Sequence, residues 1–221
     1  MAWGLAVGMV IVGLIFAFMA YILFKETRTH RFWQRRVEEG DLEMISQLVR
    51  VEVEHWRTER PPKGMPASVW GGIQGVEVVE LGRDYIRASS TAEPQFALVR
   101  GARRQVTSAL DEAKRITAKL AERFFYDVPH VRLERVQIDC YTTFHAPGAE
   151  VEQRCILSTL ARRIDAAEVD WENDSPEVIA EQLGARYELD GQGVALPIEP
   201  EEEAVRAGAD DAAAGETASA S

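Results

Sequence analysis

Cysteine is scarce in this chain: two residues, Cys140 and Cys155, among 221. Without a Cys-x-x-Cys pair, neither a zinc knuckle nor a thioredoxin-like site has support. The four histidines, His30, His55, His130 and His145, are scattered and show no metal-ligand spacing. The sequence has no G-x-S-x-G elbow and no H-E-x-x-H motif. Gly71, Gly72 and Gly75 lack the lysine and the spacing of a phosphate loop. Asp111-Glu112-Ala113-Lys114 echoes a nuclease signature, but residues two apart on a helix diverge. Cys140 and His145 do not make a nucleophile and base, because Cys140 reads as inward-facing and catalytic thiols need exposure. No cofactor and no metal are therefore expected. Lysine is also rare, 4 residues against 21 arginines, and Asn173 is the single asparagine. This bias is typical of GC-rich bacterial genomes.

Charge is missing altogether from Ala2 to Phe24, a run of 23 residues. At about 1.5 Å per residue such a helix spans roughly 34 Å, enough to cross a hydrocarbon core of about 30 Å. The run predicts a single transmembrane helix over residues 1–24. Lys25, Arg28, Arg31, Arg35 and Arg36 follow it, offset by one acid, Glu26. Basic flanks stay on the cytoplasmic side, so the N-terminus is expected outside and the remainder in the cytoplasm, at a bacterial inner membrane. Trp3 and Tyr21 stand near the two ends, where amphipathic rings favour the headgroups. A cleaved signal peptide would need a basic start, a shorter core and a small-residue cleavage site. Gly4 and Gly8 form a G-x-x-x-G pair that would let two helices approach. The basic segment over 25–40 is expected to meet lipid headgroups.

The net charge of −11 is concentrated at the C-terminus, where residues 199–221 hold seven acids and one base. That leaves −5 for residues 1–198, too acidic for a nucleic-acid face. The tail over 199–221 is rich in Ala, Glu, Gly and Ser and is expected to be disordered.

Between anchor and tail the pattern predicts one α+β domain, with an amphipathic helix over 41–60 leading into residues 61–198. Leu42, Ile45, Leu48, Val49, Val53 and Trp56 fall at helical spacing after Asp41, a candidate N-cap, and Pro61-Pro62 ends the helix. Residues 61–75 read as a loop. Strands over 76–81, 85–89 and 96–99 predict an antiparallel meander. A long amphipathic helix over 103–126 should lie across the sheet. Val131–Phe144 reads as a strand with a bulge near Glu134-Arg135, because its apolar parity switches there. It returns through a turn at 145–150 into a strand over 151–160. Pro176 opens a short helix, and Gly191-Gln192-Gly193 a last hairpin.

If the 131–160 hairpin is symmetric about Pro147-Gly148, Cys140 sits opposite Cys155. Cross-strand Cβ atoms are roughly 4.5–5.5 Å apart, so the two thiols are either a redox-sensitive pair or small core residues. The expectation for function is a membrane-anchored cytoplasmic accessory or scaffold protein that holds a protein partner, or a second copy, at the membrane. The alternatives are a tethered enzyme with an unrecognised site and a sensor using Cys140 and Cys155.

Overall fold

The computed structural model describes residues 41–144 and 151–200. The chain divides into two units, residues 1–45 and 46–221. Of the first unit only its end is described, where Asp41 caps helix α1 (Leu42–Thr58) by accepting from the Met44 amide at 3.3 Å. All other contacts below lie within the second unit.

A four-stranded sheet forms its centre, built from β1 (Glu77–Leu81), β2 (Tyr85–Thr91), β5 (Arg135–Phe144) and β6 (Glu152–Arg162) in the order β1-β2-β5-β6. β1 and β2 are antiparallel, β2 and β5 parallel, and β5 and β6 antiparallel. The α+β class is as expected, but the sheet is mixed rather than antiparallel. A parallel pair needs a crossover of a dozen or more residues. Here the crossover holds a hairpin, β3 (Gln95–Val99) with β4 (Ala102–Thr107), and then helix α3 (Ala109–Tyr126). The expected third meander strand is therefore in a separate two-stranded sheet.

α3 starts at Ala109, six residues later than the periodicity predicts. Ser108 is its N-cap: its hydroxyl accepts from the Asp111 amide at 3.0 Å, and the Asp111 carboxylate accepts from the Ser108 amide at 3.3 Å. This reciprocal box satisfies two donors that would otherwise be orphaned, so the helix begins there. Leu110, Ala113, Ile116, Leu120, Ala121 and Phe124 form its buried stripe. The sheet face they cover carries Val136 and Ile138 of β5, beside Ile86 and Ala88 of β2 in register, all 0% exposed.

Residues 61–75 are not all loop. α2 (Ala67–Gln74) lies there, and its glycine is needed for close approach. A Cβ on Gly72 would stand 2.3 Å from Ile116 Cδ1, and the Gly72 carbonyl accepts from the Ser90 hydroxyl at 2.7 Å. The bulge also lies elsewhere. β5 begins only at Arg135, and residues 131–133 precede it as irregular chain. The register shifts instead between Cys140 and Tyr141, where Ile156 is the extra residue on β6. After β6 come the single turn α4 (Arg163–Ala166), α5 (Pro176–Gln182) capped by the Ser175 hydroxyl, and a small hairpin of β7 (Glu188–Leu189) with β8 (Ala195–Leu196). Arg186 pairs with Ser158 along the free edge of β6.

Candidate functional site: a groove beside an edge strand

α1 presents Val49, Val53 and Trp56 on one face, all buried. Trp56 meets Phe124 of α3 edge to face, with ring centroids 5.1 Å apart. Arg123 closes the joint. Its guanidinium lies 5.3 Å from the Trp56 ring and 4.8 Å from the Trp70 ring, and its Nη2 donates to Glu59 at 2.9 Å. A buried guanidinium between aromatic faces is held by the ring quadrupoles, and Glu59 with Asp127, at 3.8 Å from its Nε, balances the charge. α1 is thereby fixed to the helical layer.

Fixing α1 there opens a groove of about 380 Å³ between it and β1. Val49 and Val53 line one wall and Val78, Val79 and Leu81 the other, with Arg50, Glu54, Arg57 and Glu80 around them. β1 is the sheet's edge, and among the described residues it pairs with β2 alone. Val79 is the bulged residue of that pairing and is 57% exposed. An edge strand carries a row of backbone donors and acceptors that can accept another strand. Arg57 braces the groove's end by donating to the Val76 carbonyl at 3.2 Å. A smaller pocket of about 190 Å³ opens between α2, α3 and α5, where Val69, Ala118, Trp171 and Ile179 lie under Arg115, Lys119 and Glu122.

The face of the sheet away from α3 carries a buried polar cluster that no sequence motif announced. Asp139 is 1% exposed. It accepts from Arg87 Nε at 2.8 Å, from the Ser158 hydroxyl at 2.6 Å and from Gln137 Nε2 at 3.2 Å. Burial opposes the Arg87 charge, but the hydrogen bond and charge of Asp139 outweigh it and raise the guanidinium's pKa. The Tyr85 phenol is pushed up by burial and by the nearby Glu80 charge. Each charged group of this cluster is engaged by its neighbours, and its chemistry is cohesion of the sheet.

Trp3, Gly4, Gly8, Tyr21, Lys25, Arg28, Arg31, Arg35 and Arg36 lie outside the described residues, as do His30 and His145. Among the described residues, no helix is long and apolar enough to cross a membrane, and no three potential metal ligands come together. Cys140 and Cys155 are free and buried, but the expected alignment is not met: Cys140 pairs with Leu157, and Cys155 with Tyr141. On the turn side Phe144 already pairs with Glu152, one residue off the expected symmetry, and the bulge at Ile156 adds one more. Cys140 contacts Thr117 and Ala113 on α3, whereas Tyr141, the partner of Cys155, points to the opposite face of the pleat. Burial pushes both thiols up to about 12, so neither is a ready thiolate. Asp111 and Lys114 have structural partners: Asp111 completes the helix cap, and Lys114 binds Glu181 at 2.7 Å and the Tyr187 hydroxyl at 2.9 Å.

The groove was not legible beforehand because its walls come from a helix and a strand some thirty residues apart, and only their packing brings them together. Comparison with protein-family models, with curated proteins and with solved structures finds no match to this chain.

Proposed function

We propose that this chain is a membrane-anchored accessory protein whose cytoplasmic α+β domain holds a protein partner, or a second copy of itself, at a bacterial inner membrane. The anchor is the uncharged run from Ala2 to Phe24 and its basic flank. The observation that carries the binding role is the edge of β1, unpaired on its outer side among the described residues, beside the valine-lined groove. An extended segment of the partner adds to β1 through main-chain hydrogen bonds. Its alternate apolar side chains enter between Val49, Val53, Val78 and Val79. The groove carries Arg50 and Arg57 against Glu54 and Glu80, so the segment it favours is uncharged and apolar rather than strongly acidic or basic.

Full-length protein extracted in mild detergent tests this reading through its native mass and its co-purifying chains. The expected result is a stoichiometric second chain that is lost from a Val79→Lys variant, because an edge lysine blocks strand addition. A lone monomer, or a partner retained equally by Val79→Lys, would overturn it.

A further inference from the structure

Among the described residues the β3–β4 hairpin holds the longest unbroken run of exposed chain. Every residue from Phe96 to Val106 is exposed, including Phe96 at 44%, Leu98 at 80% and Val106 at 65%. An isolated two-stranded hairpin is marginally stable in water, so four large apolar side chains left in solvent on one need an explanation. The arm is built to point somewhere. Its turn is Arg100-Gly101, with φ of 52° and 80°, the two positive values a tight two-residue hairpin turn requires. Its base is tied to the sheet: the Ala92 amide donates to Tyr141 at 2.8 Å, and Glu93 accepts from the Thr143 amide at 3.2 Å and its hydroxyl at 2.6 Å.

The charge of the arm runs against that of the protein. Residues 95–107 contain Arg100, Arg103 and Arg104 and no acid, in a chain of net charge −11. The cross-strand register sets the two chemistries side by side. Phe96 pairs with Gln105, Ala97 with Arg104 and Leu98 with Arg103, so on each face of the ribbon the β3 side chains are apolar and a guanidinium of β4 stands beside them, Val106 being the large apolar residue of β4. The Arg103 guanidinium rests 4.2 Å from the Phe96 ring centroid, so the cation and the apolar ring are presented together. This pairing of apolar side chains with adjacent guanidinium groups matches the boundary between acyl chains and phosphates.

We propose that the β3–β4 hairpin is a membrane-contact arm that lays Phe96 and Leu98, on one face of β3, into the headgroup region of an anionic bilayer while its arginines bind lipid phosphates. Guanidinium groups suit this role because they take phosphate oxygens two at a time. The negative potential of the bilayer attracts the basic arm and repels the acidic remainder of the chain, which confines the contact to the arm. The groove beside β1 is a separate surface, and this inference does not depend on it.

The test uses full-length protein carrying an environment-sensitive fluorophore on Leu98→Cys. The native thiols, 0% and 3% exposed, are shielded from labelling. The protein is reconstituted in phosphatidylcholine alone or mixed with phosphatidylglycerol, with the same dye on Val194→Cys as a control on the other hairpin. The expected result is a blue shift at residue 98 only in the anionic bilayer, unchanged by inorganic phosphate in detergent and absent at residue 194. The double variants Arg103→Gln/Arg104→Gln and Arg103→Glu/Arg104→Glu, both on exposed positions, should lose most of that shift. An emission identical in both bilayers would overturn the inference, as would a shift that survives both double variants. A shift that follows protein density at fixed lipid composition would assign the arm to a second copy and overturn it too.

Discussion

Replacing Asp139 by asparagine isolates the energetics of the sheet's polar face. The carboxylate is 1% exposed and takes hydrogen bonds from Arg87, Ser158 and Gln137. Asparagine keeps the shape but removes the charge that compensates Arg87. Removing one partner of a buried ion pair costs about 3–5 kcal/mol, because the other charge is left uncompensated. The Arg87 side chain is 17% exposed, so water recovers part of that loss, and the lower end, about 3 kcal/mol, is expected. For a domain of this size that corresponds to a fall in Tm of about 6–12 °C. Far-UV circular dichroism of the full-length protein in detergent reads the change directly. Arg87→Met should cost a similar amount, and the double variant much less than the two together, a coupling of about 2 kcal/mol. If Asp139→Asn shifted stability by less than about 0.5 kcal/mol, or if the single changes simply added, the cluster would not hold the sheet as described.

Stability should fall on the alkaline side for a reason located at Cys140, whose thiol is pushed up to about 12 by burial. A folded-state pKa above the unfolded value gives a contribution that is complete below the unfolded pKa, about 9, and lost as pH rises toward 12. Cys140→Ala should therefore flatten the loss of urea-midpoint stability above about pH 9, and an unchanged slope would refute the assignment. The two neighbouring glycines of α2 should respond with opposite signs. Gly72→Ala drives a methyl to 2.3 Å from Ile116 and should cost about 1–3 kcal/mol, whereas Gly71→Ala meets nothing within 4 Å and should gain up to about 1 kcal/mol of helix propensity. Chemical denaturation of both variants checks the pair, and equal effects would show that the contact with Ile116 does not constrain α2.

The α+β class and the stripe of α3 were legible because periodicity reports which residues share a face. Periodicity does not say where a helix starts: Val106 is in phase with Ala109, Leu110 and Ala113, so the pattern runs on through β4. The Ser108–Asp111 box and the Arg100-Gly101 turn were the local signals that divide strand from helix. Alternation also leaves a strand's neighbours open. β2 and β5 read correctly as strands, yet their parallel pairing, and hence the Arg87–Asp139 bond across 52 positions, has no local signature. A turn one residue off symmetry, with the further residue of bulge at Ile156, separates the two cysteines that simple hairpin symmetry aligns. Glycines 71 and 72 read as loop because flexibility and close packing call for the same residue.

The parallel pair at the centre of the sheet also sets an order of events during synthesis. Arg87 emerges about 70 residues before Ser158, the last side chain to reach Asp139. At about 5–20 residues per second, that leaves the Arg87–Asp139–Ser158 cluster incomplete for roughly 4–14 s after the arginine emerges. The β1–β2 hairpin and the arm close early from local contacts, while the middle of the sheet waits for β5 and β6. Through that interval the inner edge of β2 is an open template. A nascent chain of this sequence is thus most exposed to mispairing just before its own fifth strand arrives.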